Sequence, residues 1–206
     1  MSNLDQTIKV GNTATINIST SKPNPIQKIF PTTIWQGYLD IDHEKLINLA
    51  EWARLQNWED LGDTYSYTTR NGSQFITPKP IWEYPLAPAI KELMPQIQTA
   101  LDEWVCAMTE QSCFKATPKG SQFVLYNPGG HQWPHWHDST WTAILGLRNR
   151  GTLLLQDPRP LAITQGFPLI REIIINPGQL LITPGYLVHS SAASNKERDI
   201  LVFMGD

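Results

Sequence analysis

Cysteine is nearly absent from this chain. Its 206 residues hold two, Cys106 and Cys113, seven apart. Two thiols cannot build a tetrahedral thiolate zinc site, and a short disulfide between them is unforced, so reduced thiols are expected. Charge is scarce as well: 17 % of residues are Asp, Glu, Lys or Arg, and the net charge is −3. That leaves no basic field of the kind a nucleic-acid or anionic-membrane partner requires. No apolar run approaches transmembrane length, and Met1 to Thr20 contain no apolar signal core, so a cytoplasmic protein without a membrane partner is expected. No internal repeat is visible. What is present is a hydrophobic fraction of 41 %, which at this length is enough for one sizeable core.

Residues 1–28 are polar, rich in Ser, Thr and Asn, and run through Lys22-Pro-Asn-Pro25, the composition of a flexible, extended arm. A single domain is expected over 29–206, with a helical layer at about 40–110 and a β core at about 121–206. It opens on the β-prone run Ile29 to Trp35. Asp42 then caps a helix whose apolar positions Leu46, Leu49, Ala50 and Ala53 recur at helical spacing. Asp60 to Tyr84 is turn-rich, and Asn71-Gly72 suggests a hairpin or a loop over a site. A second helix, from about Ala87 to Ala107, carries Ile90, Leu93, Met94, Ile97, Leu101 and Val105 on one stripe.

From Ser121 the pattern changes to short apolar runs at 123–126, 142–145, 152–155, 173–175, 180–182, 187–188 and 200–203, separated by Gly, Pro, Asn and Asp. Helices first and many short strands afterwards predict a mostly β fold, a jelly roll with the N-terminal helices packed on one sheet.

Chemistry concentrates in His135-Trp136-His137 and in the distant His189. Residues two apart on a strand point to one face, so His135 and His137 project together while Trp136 points away. His189 follows the strand Leu180-Leu-Ile182 and a Pro-Gly turn, at the start of a further strand expected over Tyr186 to Ser190. Two ligands from one segment and a third from a distant one is how non-haem iron(II) sites are assembled, with positions left open for co-substrate and dioxygen. The competing reading is a solvated histidine pair, and His131 in the same run fits that description.

The lead-in Tyr126-Asn-Pro-Gly129-Gly130-His-Gln-Trp-Pro-His135 suggests a strand, a Gly-rich turn and a new strand opening on the first ligand. With Phe30-Pro-Thr-Thr-Ile-Trp35, Leu155-Gln-Asp-Pro-Arg159, Gly178-Gln-Leu-Leu-Ile-Thr-Pro184 and Arg198, these stretches resemble a family of small bacterial and phage-encoded members of the Fe(II)/2-oxoglutarate-dependent oxygenase superfamily. The likeness spans most of the chain after residue 28, and its specific motifs lie in 121–206. It implies a double-stranded β-helix, cupin-like, with Fe(II) at its open end and 2-oxoglutarate and O2 as co-substrates. Arg198, nine residues after His189, stands where that superfamily places the basic residue that pairs with the far carboxylate of 2-oxoglutarate. A guanidinium can hold a carboxylate bidentately. Tyr126 is a second candidate for that co-substrate, or else a core tyrosine.

Most members of the superfamily carry His-x-Asp or His-x-Glu, whereas here the second position is His137 with Asp138 beside it. A strand bulge would swing Asp138 inward in place of His137. Three neutral ligands would leave the site one positive charge richer, so a dianionic co-substrate would matter more for neutrality. Halogenation needs a small non-ligating residue at position 137 and is not expected. Trp133, Trp136 and Trp141 either wall a substrate pocket or pack helices on the sheet. Asp157-Pro-Arg159-Pro reads as a turn, with Arg159 available to an acidic substrate. The resulting expectation is a dioxygenase that hydroxylates a small molecule or a peptidyl side chain, releasing succinate and CO2. The alternatives are a three-histidine cupin-type dioxygenase without 2-oxoglutarate, and a non-catalytic jelly-roll binding protein.

Overall fold

Asp42 opens the helical layer as expected: its Oδ1 accepts the Glu44 N–H at 2.9 Å, and α1 runs from His43 to Leu55 with Leu46, Leu49, Ala50 and Ala53 buried. α2 spans Pro88–Thr109 and buries Ile90, Leu93, Ile97, Leu101 and Val105. These elements come from a computed structural model, which describes residues 6–10, 14–18, 26–29, 32–55, 69–76, 81, 88–109, 116–159 and 169–206. Cys106 is a free, exposed thiol on α2, and Cys113 lies outside the described residues.

Twelve strands follow in chain order: β1 (Gln6–Val10), β2 (Ala14–Ile18), β3 (Ile26–Ile29), β4 (Thr32–Tyr38), β5 (Thr69–Ile76), β6 (Pro118–His135), β7 (Trp141–Arg148), β8 (Gly151–Gln156), β9 (Ile170–Ile175), β10 (Gln179–Pro184), β11 (His189–Ser191) and β12 (Arg198–Gly205). β1 and β2 pair with each other in a separate two-stranded sheet. The rest are antiparallel in the order β3-β4-β10-β7-β12-β6-β11-β8-β9, with β5 along β6.

β6 explains how one hydrogen-bonded path makes two layers. Its first half, Pro118 to Tyr126, pairs with β12, and its last residues, Gln132 to His135, pair with β11. The chain folds over at Asn127-Pro-Gly-Gly130, where the Gly129 N–H donates to the Ser194 carbonyl at 2.6 Å. One sheet is therefore β4-β10-β7-β12-β6 and the other β6-β11-β8-β9, which is the jelly roll expected from the strand pattern. Side-chain alternation sorts the two cores. Val124, Tyr126, Ile144, Leu181, Ile200 and Val202 meet Leu153, Leu155, Ile173 and Ile175 between the sheets. Their neighbours Phe123, Leu125, Ala143, Leu145, Leu201 and Phe203 face outward onto α1 and α2. A sheet buried on both faces reads as unbroken apolar runs, which is why those strands were conspicuous.

Three sequence expectations are corrected. β6 does not stop at the Gly-rich turn and restart on His135; it is one 18-residue strand that ends there. Asn71-Gly72 forms no hairpin turn but sits inside β5, at the register shift where that strand follows the fold of β6; residues 60–68, 77–80 and 82–84 lie outside the described ones. The strand expected from Tyr186 begins only at His189, because the Leu187 N–H closes a turn onto the Pro184 carbonyl at 3.1 Å.

Candidate metal centre

The antiparallel register of β6 and β11 sets His135 directly opposite His189. His137 lies two residues past the end of β6, so strand alternation cannot be what aims it. A turn does that: the His137 N–H donates to the Gly185 carbonyl at 3.1 Å, and the Gly185 N–H donates to the Thr140 carbonyl at 3.0 Å. A Cβ on Gly185 would lie 1.8 Å from the Ser139 carbonyl oxygen, so the approach of the two turns requires glycine. The ring centroids of His135 and His189 are then 4.5 Å apart, His135 and His137 5.3 Å, and His137 and His189 5.2 Å. One nitrogen from each of the three lies within 4.8 Å of the others. With metal–nitrogen bonds of about 2.1 Å, small ring rotations close the remainder around one ion.

The tautomers suit that role. His135 Nδ1–H donates to the Trp133 carbonyl at 2.8 Å and His189 Nδ1–H to the Leu187 carbonyl at 2.9 Å, each leaving Nε2 as a bare lone pair. Burial disfavours the imidazolium at every position. It lowers His135, takes His137 down to about 4 with help from His135, and takes His189 down to about 3 with help from both neighbours. At neutral pH the three rings are uncharged donors. Asp138 is exposed and is not part of this group, and with β6 ended at His135 no strand remains to bulge there. His131 stays outside as well, edge-on to Trp133 at 5.3 Å between centroids.

Arg198, the first residue of β12, is 2 % exposed and pairs in register with Tyr126. Its guanidinium carbon lies 4.1 Å from the centroid of the Tyr126 ring, and Nη1–H donates to the Ala192 carbonyl at a long 3.4 Å. Nε and Nη2 are buried without a hydrogen-bond partner. No carboxylate pairs with this cation among the described residues. An uncompensated buried guanidinium is costly, and donors left open inside a barrel are what an anionic ligand would fill. The room comes from Gly151, which shares the inner face of β8 with Leu153 and Leu155; a Cβ there would stand 2.1 Å from Arg198 Cδ. The Tyr126 hydroxyl is already engaged: it donates to Gln132 Oε1 at 2.7 Å and lies 3.1 Å from Ser191 Oγ. Burial raises its pKa despite Arg198, so it stays protonated.

Sequence reasoning missed the link from the helical layer to the surroundings of Arg198. Arg54, in the last turn of α1, donates through Nε and Nη2 to the buried Asp199 carboxylate at 3.1 and 2.5 Å. The same Nη2 reaches the Tyr126 carbonyl at 3.0 Å. One side chain thus ties together the neighbours of Arg198 on both strands. Arg54 carried no signal beyond being basic at a helix end. Gly151, by contrast, was findable from its alternation with Leu153 and Leu155.

The weaker substrate candidates separate. Trp133 is 51 % exposed and supplies its carbonyl to His135, so it stands beside the site. Trp141 is fully buried in the helix–sheet core and cannot line a pocket there, since side chains at its position face the helices. Arg159 is held by Asp157, whose Oδ2 takes Nη2–H at 2.5 Å and whose Oδ1 takes Nε–H at 2.9 Å. It is therefore not a free cation for a substrate. The turn was foreseen correctly, with Asp157 Oδ1 accepting the Arg159 N–H at 2.9 Å.

Comparison with known proteins bears on the fold. No protein-family model matches the chain, and no curated protein matches it in sequence. Solved structures do. A Pseudomonas putida prolyl-4-hydroxylase superposes with a TM-score of 0.55 at 16 % identity, covering 84 % of this chain and 91 % of that one. A 2OG-Fe(II) oxygenase family member from Burkholderia pseudomallei gives 0.54 at 13 %, covering 85 % and 84 %. The structure named OsALKBH1 gives 0.59 at 11 %, covering 88 % of this chain and all of that one (100 %). At such identities the likeness is one of fold, and that fold is the jelly roll of the 2-oxoglutarate oxygenases.

Proposed function

We propose that this chain, having the fold of the 2-oxoglutarate oxygenases, is itself an Fe(II)- and 2-oxoglutarate-dependent dioxygenase that hydroxylates a C–H bond of a small molecule or peptidyl side chain. The observation that carries the reading is the coexistence, in one barrel, of three converging neutral imidazoles and a buried arginine with open donors. In this reading His135, His137 and His189 hold the iron through Nε2. With dioxygen, the bound iron and 2-oxoglutarate supply an oxidation that yields succinate, CO2 and a hydroxylated product.

The chain's own residues do the positioning. The carbonyls of Trp133 and Leu187 fix the rings of His135 and His189. Arg198 receives the far carboxylate of the co-substrate on Nε and Nη2, which fits a dianion entering a site whose ligands bring no negative charge. Leu153, Leu155 and Leu187 belong to the packed apolar core between the sheets, which gives the ligand side of the site a dry backing. Three of the superposable structures carry names of prolyl hydroxylases, which keeps peptidyl side chains among the substrates considered.

Anaerobic addition of Fe(II) and then 2-oxoglutarate to the protein tests this directly. The expected result is the weak visible charge-transfer band of a chelated keto acid, lost or strongly weakened in Arg198→Ala. Bound iron without any band refutes the use of 2-oxoglutarate and favours a three-histidine dioxygenase. Absence of iron binding refutes both.

A further inference from the structure

Beside His137 lies a shallow, open pocket of about 410 Å³ whose walls include Trp136, Asp138, Tyr186 and Asp206. Its occupant would abut the metal ligand His137, which also lines it. Trp136 and Tyr186 are 67 % and 58 % exposed, large aromatic areas left uncovered among the described residues. Among the described residues no lysine or arginine lines it, although Lys119 reaches Asp206 at its edge. Asp206 is already paired with Lys119, whereas Asp138 makes no ion pair among the described residues.

Two exposed aromatic rings and one carboxylate without an ion pair among the described residues define the ligand by charge. The face of an aromatic ring is its negative side, so both faces and the carboxylate favour the same sign of partner. An anion would meet Asp138 and the ring faces alike as repulsion. A neutral apolar group would cover Asp138 and give its charge nothing in return. The net charge of −3 adds weak attraction for the same class.

We infer that this cavity binds an organic cation, an alkylammonium group carried by the substrate, between Trp136 and Tyr186 and against Asp138. The inference deepens the proposed oxygenase reading and depends on it only for placing the cation next to the reacting centre. It also gives Asp138 a role outside the metal: the residue stands beside the ligand set and faces the substrate.

Choline and 3,3-dimethylbutan-1-ol have nearly the same shape and differ in charge, so ligand-observed NMR titration of the full chain with each isolates the charge. Choline is expected to bind at least about fivefold more tightly than the alcohol. Asp138→Asn should reduce that preference about two- to threefold, and Trp136→Leu should remove most of it, both variants keeping the wild-type circular dichroism. Equal affinity for the two probes, no binding of either, or a preference indifferent to both substitutions overturns the inference. Repeating the titration with Co(II) added separates the two readings. Choline that binds selectively without paramagnetic broadening counts against a metal at the three histidines and leaves the cation subsite standing. A Co(II)-loaded protein that shows no charge preference counts against the subsite alone.

Discussion

Replacing Gly151 by alanine should disable the co-substrate anchor while leaving the metal ligands in place. The new Cβ would lie 2.1 Å from Arg198 Cδ, 2.5 Å from Nη1 and 2.9 Å from Nε. Carbon–carbon contacts settle near 3.5 Å, so the arginine must retreat by about 1.4 Å. The contact falls on the middle of the side chain, and the guanidinium is already packed on the Tyr126 ring at 4.1 Å, so rotation of the tip alone does not relieve it. Overpacking of this kind costs about 1–3 kcal/mol of stability, visible as a lowered Tm. A misplacement of about an ångström in a bidentate clamp costs roughly a hundredfold, so affinity for 2-oxoglutarate should fall by about that factor. Anaerobic titration of the Fe(II)-loaded variant with 2-oxoglutarate reads the loss, and metal content by elemental analysis should stay at the wild-type level. In an Arg198→Met background the same glycine change should cost little further affinity, because the clamp it disturbs is gone. A folded Gly151→Ala protein that binds 2-oxoglutarate within a factor of about three of wild type would refute the reasoning.

Three further outcomes follow from the same geometry. Gly185→Ala should push the Ser139 carbonyl away, release His137 and weaken metal binding by about ten- to a hundredfold, measured by competition with a chelator; unchanged affinity would mean that His137 is not aimed by this turn. The metal-free protein should lose stability as pH falls. His137 and His189 titrate near 4 and 3 when folded and near 6.5 when unfolded, so the unfolded chain binds more protons between those values. Their contribution is complete above about pH 6.5 and falls by about 2 kcal/mol for each ring by pH 5, which urea unfolding at the two pH values should register; a flat profile would contradict the burial of neutral rings. Arg54→Met should leave the Asp199 carboxylate with Arg148 at 3.6 Å as its remaining close cation and free the Tyr126 carbonyl. We expect about 2–4 kcal/mol of destabilisation and a raised KM for 2-oxoglutarate with metal affinity intact, and a loss confined to stability would reduce Arg54 to a structural role.

Much of the fold was legible because burial on two faces writes itself into sequence. Strands such as 143–145 and 180–182 are apolar at every position, since odd and even residues enter different cores. α1 was readable from its cap and spacing for the same kind of reason, a local rule acting over a few residues. Errors arose where a partner far along the chain made the decision. Asn71-Gly72 looks like a turn in isolation, yet pairing with β6 keeps it in a strand. Trp141 fitted either a pocket wall or helix packing in the sequence, and its place on the outward face of β7 puts it under the helices.

The sequence by itself determined the side chains of the candidate site: imidazoles two apart and a distant third, and an arginine after a strand break, are chemical identities that no fold can supply. Only the tertiary structure decided how they meet. His135 and His189 converge because β6 and β11 are in register, His137 because the Gly185 turn holds it beyond the strand end, and Arg198 lies open because Gly151 leaves the space. These are contacts between segments tens of residues apart, and such distances depend on strand register and close packing. Neither leaves a local pattern to read.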